Sequence, residues 1–126
     1  MGKKYTNFAI NLDGLDQEEN WYALITNYNY EQFVIDRINS MKENISDVVS
    51  EVFTPIEESV VEVRGKQKVK QTKVMPNYVF VKARLTTETW KLLMNVTGVT
   101  SIMCVAGMPS VISEKEIGRM KSLSVA

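Results

Sequence analysis

The densest chemistry-bearing block in this 126-residue chain is "RGKQKVKQTK", residues 64–73, where Arg64, Lys66, Lys68, Lys70 and Lys73 gather without an acid. On an extended strand, alternation places Lys66, Lys68 and Lys70 on one face, a pattern suited to neutralising phosphates. The same pattern has a plainer use, because lysines on an edge hairpin keep it soluble and unpaired. No aromatic residue is interleaved with them, so base stacking along this arm is not expected. The formal net charge of zero conceals the block: Asp13, Asp16, Glu18 and Glu19 form an acidic counterpart near the N-terminus.

Catalytic chemistry is hard to assemble from the remaining residues. The chain has no histidine, which removes Ser-His-Asp and Cys-His arrangements and any imidazole ligand or base. Cys104 is the one cysteine, so neither an internal disulfide nor an ordinary zinc set can form. It lies in the apolar run "VTSIMCV" and reads as an inert buried thiol in a reducing cytoplasm. Glu57-Glu58 and Glu114/Glu116 have the placement of turn and helix-start residues, not of a converging acid/base pair. A glycine-rich phosphate loop is also missing. An enzyme is not expected, and neither a cofactor nor a metal is implied.

The elements that would position these groups follow from hydrophobic period and turn chemistry. "WYALIT" (21–26) reads as a strand, and residues 30–44 as a helix with Asn29 as N-cap and a stripe of Phe33, Val34, Arg37/Ile38, Met41 and Ile45. "DVVSEVFTP" (47–55) is a second strand, and a hairpin turns at Arg64-Gly65-Lys66. "YVFVKARL" (78–85) follows, entered through the rigid Met75-Pro76-Asn77 turn. Its Tyr78/Phe80/Lys82/Arg84 face differs from the more apolar Val79/Val81/Ala83/Leu85 face. On pattern alone this is a core strand behind a proline turn, with Met75 and Tyr78 at its edge. A second helix starts near Thr86-Thr87, with Trp90, Leu93 and Met94 inward and Gly98 at its exit. "VTSIMCV" (99–105) is a strand, Gly107-Met108-Pro109 a turn. Ser113 and Glu116 then form a capping box with Ile112 and Ile117 as staple, followed by an Ile117/Met120/Leu123 stripe. The expected fold is α+β: a largely antiparallel four-stranded sheet plus a basic β-hairpin, flanked by three helices. Residues 1–20 are expected to be a flexible leader, with the domain at 21–124. Gly2 and Thr6 fit a short myristoylation pattern, but a plain leader is the better reading. No run is long and apolar enough to span a bilayer, and a monomer without membrane contact is expected.

From about Trp21 to Leu123 the order and spacing of these pieces resemble the N-terminal domain of NusG-family transcription elongation factors. The resemblance is carried by the opening "WYAL", by Val52, Pro55, Glu57, Glu58 and Gly65, by the lysine arm, and by "PNYVFV" (76–81). "TWKLLMNVTGV" (89–99) and the closing "ISEKEI" complete it. Asn77, where general members more often have glycine, leans toward the specialised RfaH-like branch. Thr97 replaces a commoner proline. Family members usually continue into a small KOW barrel, which nothing in this chain supplies, so a fragment of a longer protein is the favoured reading.

The resemblance implies a domain that binds RNA polymerase at the clamp helices of the largest subunit and modulates pausing, elongation, termination or antitermination. The implied clamp-helix patch is Ile25, Met75, Pro76, Tyr78, Phe80 and Ile117. Thr89 to Leu92 would face the gate region of the opposite subunit, with Trp90 expected in the core. Asn27, Tyr28, Asn29 and Asn95 would lie near non-template DNA. The alternative is a stand-alone nucleic-acid-binding module using hairpin 64–73 through Lys66, Lys68 and Lys70.

Overall fold

The computed structural model describes residues 12, 14–15, 18–45 and 48–123. The myristoylation pattern at Gly2 and Thr6 lies outside them. The elements run β1 (Asn20–Thr26), α1 (Glu31–Ile45), β2 (Val49–Phe53), β3 (Ile56–Val63), β4 (Lys66–Lys73) and β5 (Tyr78–Ala83). They continue as α2 (Thr87–Met94), β6 (Val99–Ile102), the short pair β7 (Cys104–Val105) and β8 (Met108–Pro109), and α3 (Glu114–Leu123). The central sheet has the order β2-β5-β1-β6, and every pairing in it is antiparallel. β3 and β4 form a separate two-stranded hairpin. The expected α+β class, four-stranded sheet and three helices are all present. Among the described residues no helix is long and apolar enough to cross a membrane.

Both faces of the sheet are covered, which is why β1 reads as an unbroken apolar run instead of an alternating one. On one face Tyr22, Leu24, Val79, Val81 and Ala83 pack with Val34, Ile35 and Ile38 of α1 and with Leu93 of α2. On the other, Trp21, Ala23 and Phe80 pack with Ile117 of α3. Trp90 is buried in the larger core, as expected. Leu15 is buried there too and Leu12 packs beside it, so these two residues of the expected leader lie against the domain.

Local chemistry sets the element ends. Thr86 caps α2 by accepting the Thr89 N–H at 3.0 Å, and Ser113 caps α3 by accepting the Glu116 N–H at 3.2 Å. Arg64 and Gly65, with φ of 55° and 76°, make the two-residue primed turn that matches strand twist. Ala106 and Gly107 repeat it at 53° and 79°, so Met108-Pro109 is a returning strand and not part of the turn. β6 correspondingly ends at Ile102, and the expected strand 99–105 divides in two.

Two expectations for α1 are corrected. Its first intrahelical bond runs from Val34 N–H to the Tyr30 carbonyl, which makes Tyr30 the cap; Asn29 sits in a left-handed turn at φ 64°. Its buried stripe is Glu31, Val34, Ile35 and Ile38, while Phe33 is 50% exposed with its ring edge-on to Tyr30. The helix is phased by turning a carboxylate inward at its first residue, and that choice rotates Phe33 out.

Candidate functional site

The α3 face of the sheet carries a row of aromatic rings. Trp21 meets Phe53 edge-on at 5.5 Å, Phe53 lies 5.7 Å from Phe80, and Phe80 stacks with Tyr78 at 6.4 Å. Lys121 of α3 lies over the Trp21 and Phe53 rings at 5.1 and 5.3 Å and pairs with Glu51, which closes the Trp21–Phe53 end of the row. The other end is open. There Met75, Met103, Ile112 and Met120 line a groove of about 360 Å³ floored by Phe80, with Glu116 and Arg119 on its rim. An apolar trough walled by flexible thioethers and edged by charge suits an amphipathic helix.

The expected patch divides by depth. Phe80 and Ile117 are 2% and 1% exposed, so they support the groove from beneath. Met75, Tyr78 and Ile25 are half-buried and Pro76 is exposed, so these supply the surface; Ile25 sits directly across from Tyr78 in the β1–β5 ladder. Sequence reasoning missed Met103 as a groove residue and read Ile112 and Met120 only as helix packing. The signal available was the three-residue step from Ile117 to Met120, which places both toward one side of α3.

The turn presenting Met75 has proline at its second position and Asn77 at φ 73°, with Tyr78 N–H returning to the Met75 carbonyl at 3.3 Å, a type II turn. Asn77 is clasped by the end of β1: its carbonyl accepts from Thr26 N–H at 2.8 Å and its amide donates to the Thr26 carbonyl at 3.1 Å. Its own N–H donates to Glu31 Oε2 at 2.6 Å. Lys73 pairs with Glu31 Oε1 at 3.0 Å, donates to Asn29 Oδ1, and lies 5.2 Å from the Tyr28 ring centre. Burial alone would raise the Glu31 pKa, but the Asn77 N–H and the Lys73 ammonium outweigh it and hold the carboxyl below the usual range.

The hairpin gathers three lysines on one face, which carries one acid, Glu57, opposite Thr72. Cross-strand partners share a face, and Lys66, Lys68 and Lys70 lie opposite Val63, Val61 and Ser59. Glu58 and Glu62 fall on the other face, where Gln71 binds Glu58 at 3.0 Å. Lys73 belongs to that second face and is ion-paired, so it does not extend the lysine row.

The model of the family described as transcription termination factor nusG matches residues 19–121. The chain belongs to the NusG family. A Bacillus subtilis (strain 168) relative, named transcription termination/antitermination protein NusG, is 35% identical over 95 residues, covering 74% of this chain and 54% of that protein. A relative of the same name from Buchnera aphidicola subsp. Acyrthosiphon pisum is 36% identical over 105 residues, covering 80% and 58%. The chain thus spans a little over half the length of these NusG proteins. A solved structure described as "Domain interaction in Thermotoga maritima NusG" shares the fold, with a TM-score of 0.67 and 22% identity over 86% of this chain and 59% of that one.

Within this NusG domain the remaining expected surface is assembled only in part. Asn27 N–H donates to the Gly98 carbonyl at 2.8 Å, which brings the β1–α1 loop against the α2–β6 turn. Tyr28 is 72% exposed, Asn27 and Asn29 are exposed beside it, and Asn95 is the exposed C-cap of α2. Asn29, however, is already engaged by Lys73. Of the segment 89–92, Thr89 and Trp90 are buried, and Lys91 and the half-buried Leu92 face outward. Asn77 meets with φ 73° the same backbone demand that glycine would. The asparagine is therefore conformationally equivalent there and does not by itself mark a specialised branch.

Proposed function

We propose that this domain acts in transcription elongation as a non-enzymatic clamp on RNA polymerase. It docks through the Met75–Met103–Met120 groove on the paired helices of the largest-subunit clamp, with Ile25, Pro76 and Tyr78 as the adjoining rim. The outward side of α2 then faces the gate region of the opposite subunit, and bridging the cleft disfavours clamp opening and shortens pauses. The outcome is modulated elongation, termination or antitermination, in keeping with the names of its relatives. The observation that carries this reading is the methionine-walled trough, laid over an already complete second core and open to solvent along a charged rim.

Binding of an isolated clamp-helix fragment tests it. The wild type is expected to bind, and Tyr78→Ala to weaken binding by about ten-fold, as for a large aromatic side chain removed from a helix contact. No binding by the wild type, or no effect of Tyr78→Ala, contradicts the docking.

A second reading is supported by the register of the hairpin. Three lysines share one face with Glu57 as its one acid, while Glu58 and Glu62 occupy the other, and the excess of positive charge favours contact with a phosphate backbone. In that reading the hairpin binds nucleic acid without polymerase, and groove substitutions leave its affinity unchanged.

A further inference from the structure

Glu31 is the one charged side chain that is buried among the described residues, at 2% exposed, yet it lies outside the groove. Its two oxygens reach different segments: Oε2 takes the Asn77 N–H and Oε1 the Lys73 ammonium. A buried, paired carboxylate contributes little net stability over an apolar residue of its size, but Glu31 supplies a directional hydrogen bond to Asn77 and an ion pair to Lys73 that an apolar residue cannot. Those contacts fall on a segment with few restraints of its own. Pro76 has no N–H, and the bond closing the turn from Tyr78 to Met75 is long at 3.3 Å. Thr26 holds the carbonyl and side chain of Asn77, and Glu31 holds its N–H.

We propose that Glu31 is a positioning residue. It fixes the Met75–Tyr78 turn in the geometry that presents Met75 and Tyr78, and through Lys73 it joins that turn to the Tyr28–Asn29 loop, so the two exposed surfaces are held as one rigid unit. Its importance for docking rests on the function proposed above; its hold on the turn does not. An isosteric amide at this position keeps a weaker acceptor for Asn77 and loses the attraction to Lys73, so both segments loosen together.

The test uses amide hydrogen exchange and methionine-methyl and tyrosine-ring NMR on the free chain, together with affinity for the clamp-helix fragment. Glu31→Gln is expected to speed exchange at Asn77 by about ten-fold, move the Met75 methyl and Tyr28 ring signals, leave the Met120 methyl in place, and weaken fragment binding by a similar factor. Val34→Ala, a cavity in the same helix, is the control for general destabilisation and is expected to leave the Met75 and Tyr28 signals where they are. A folded Glu31→Gln whose Asn77 exchange and Met75 signal match that control overturns the inference. If Glu31→Gln does not fold, Lys73→Met reads the same link: Asn77 and Tyr28 must both respond, and an unaltered Asn77 overturns it. A wild type that fails to bind the fragment removes the docking reading alone, and the free-chain spectra still decide the positioning.

Discussion

The carboxylate of Glu31, the first residue of α1, accepts a 2.6 Å hydrogen bond from the backbone N–H of Asn77, at the turn that leads into β5. This bond joins the helix packed on one face of the sheet to the turn that shapes the groove on the other. It also gives the domain an acid-sensitive element. Burial works against the charged form of Glu31, but Asn77 and Lys73 reverse that and depress its pKa. A carboxyl with a depressed folded pKa contributes its stability above the unfolded value and loses it as pH falls through the folded one. The wild type is therefore expected to exceed Glu31→Gln by about 2 kcal/mol at pH 7. That gap should shrink below about pH 4.3 and close once Glu31 is protonated. Urea unfolding at pH 7 and in acid measures it, and a gap that does not change with pH contradicts the assignment.

Asn77 itself separates backbone demand from side-chain bonding. Asn77→Gly accommodates φ 73° but loses the amide bond to the Thr26 carbonyl. A loss of about 1 kcal/mol is expected. Asn77→Ala loses the same bond and adds left-handed strain of about 1–2 kcal/mol. Thermal or urea unfolding should rank wild type, then glycine, then alanine; alanine at or above glycine would mean that the turn has no fixed type II geometry.

These features mark where the sequence was legible and where it was not. The cap at Ser113, the helix start near Thr86 and the turn at Arg64-Gly65 obey rules that span four residues or fewer, so they could be read directly. The face of β5 carrying Tyr78 and Phe80 was recognised as distinct, but its depth was not, because burial of Phe80 depends on Ile117 far along the chain. The phase of α1 misled for the same reason. A glutamate at the start of a helix reads as a solvated N-terminal charge, and only partners at Lys73 and Asn77 turn it inward, leaving Phe33 outside. The groove wall at Met103 and Met120 comes from separate elements that only the tertiary arrangement brings together.

Gly98 should be intolerant of any side chain. A Cβ there would lie 2.5 Å from the Tyr30 ring, at a backbone φ of +100°. Gly98→Ala is expected to cost roughly 2–4 kcal/mol from clash and strain combined, and to disturb the Asn27–Gly98 bond that seats the β1–α1 loop. Circular dichroism melting provides the check, and an unchanged melting temperature would show that Tyr30 does not back onto the turn.

The lysine face of the hairpin makes an independent prediction. Replacing Lys66, Lys68 and Lys70 together by alanine touches exposed residues that lie directly opposite Val63, Val61 and Ser59, so stability should change by less than about 0.5 kcal/mol. If this face neutralises phosphates, the slope of log affinity for duplex DNA against log salt should fall by about 2.7, or 0.9 per lost contact. Fluorescence anisotropy across a salt series resolves the difference. An unchanged slope assigns the lysines to solubility and edge protection instead.

The docking groove is tested most directly by the methionines, because the sheet divides them. Met75, Met103 and Met120 belong to the α3 face, whereas Met41, Met94 and Met108 pack with the core on the opposite face. Titrating methyl-labelled chain with the isolated clamp-helix fragment should shift or broaden the first three signals and leave the second three in place. Shifts confined to Met41, Met94 and Met108, or no shifts at all, would contradict docking at the groove.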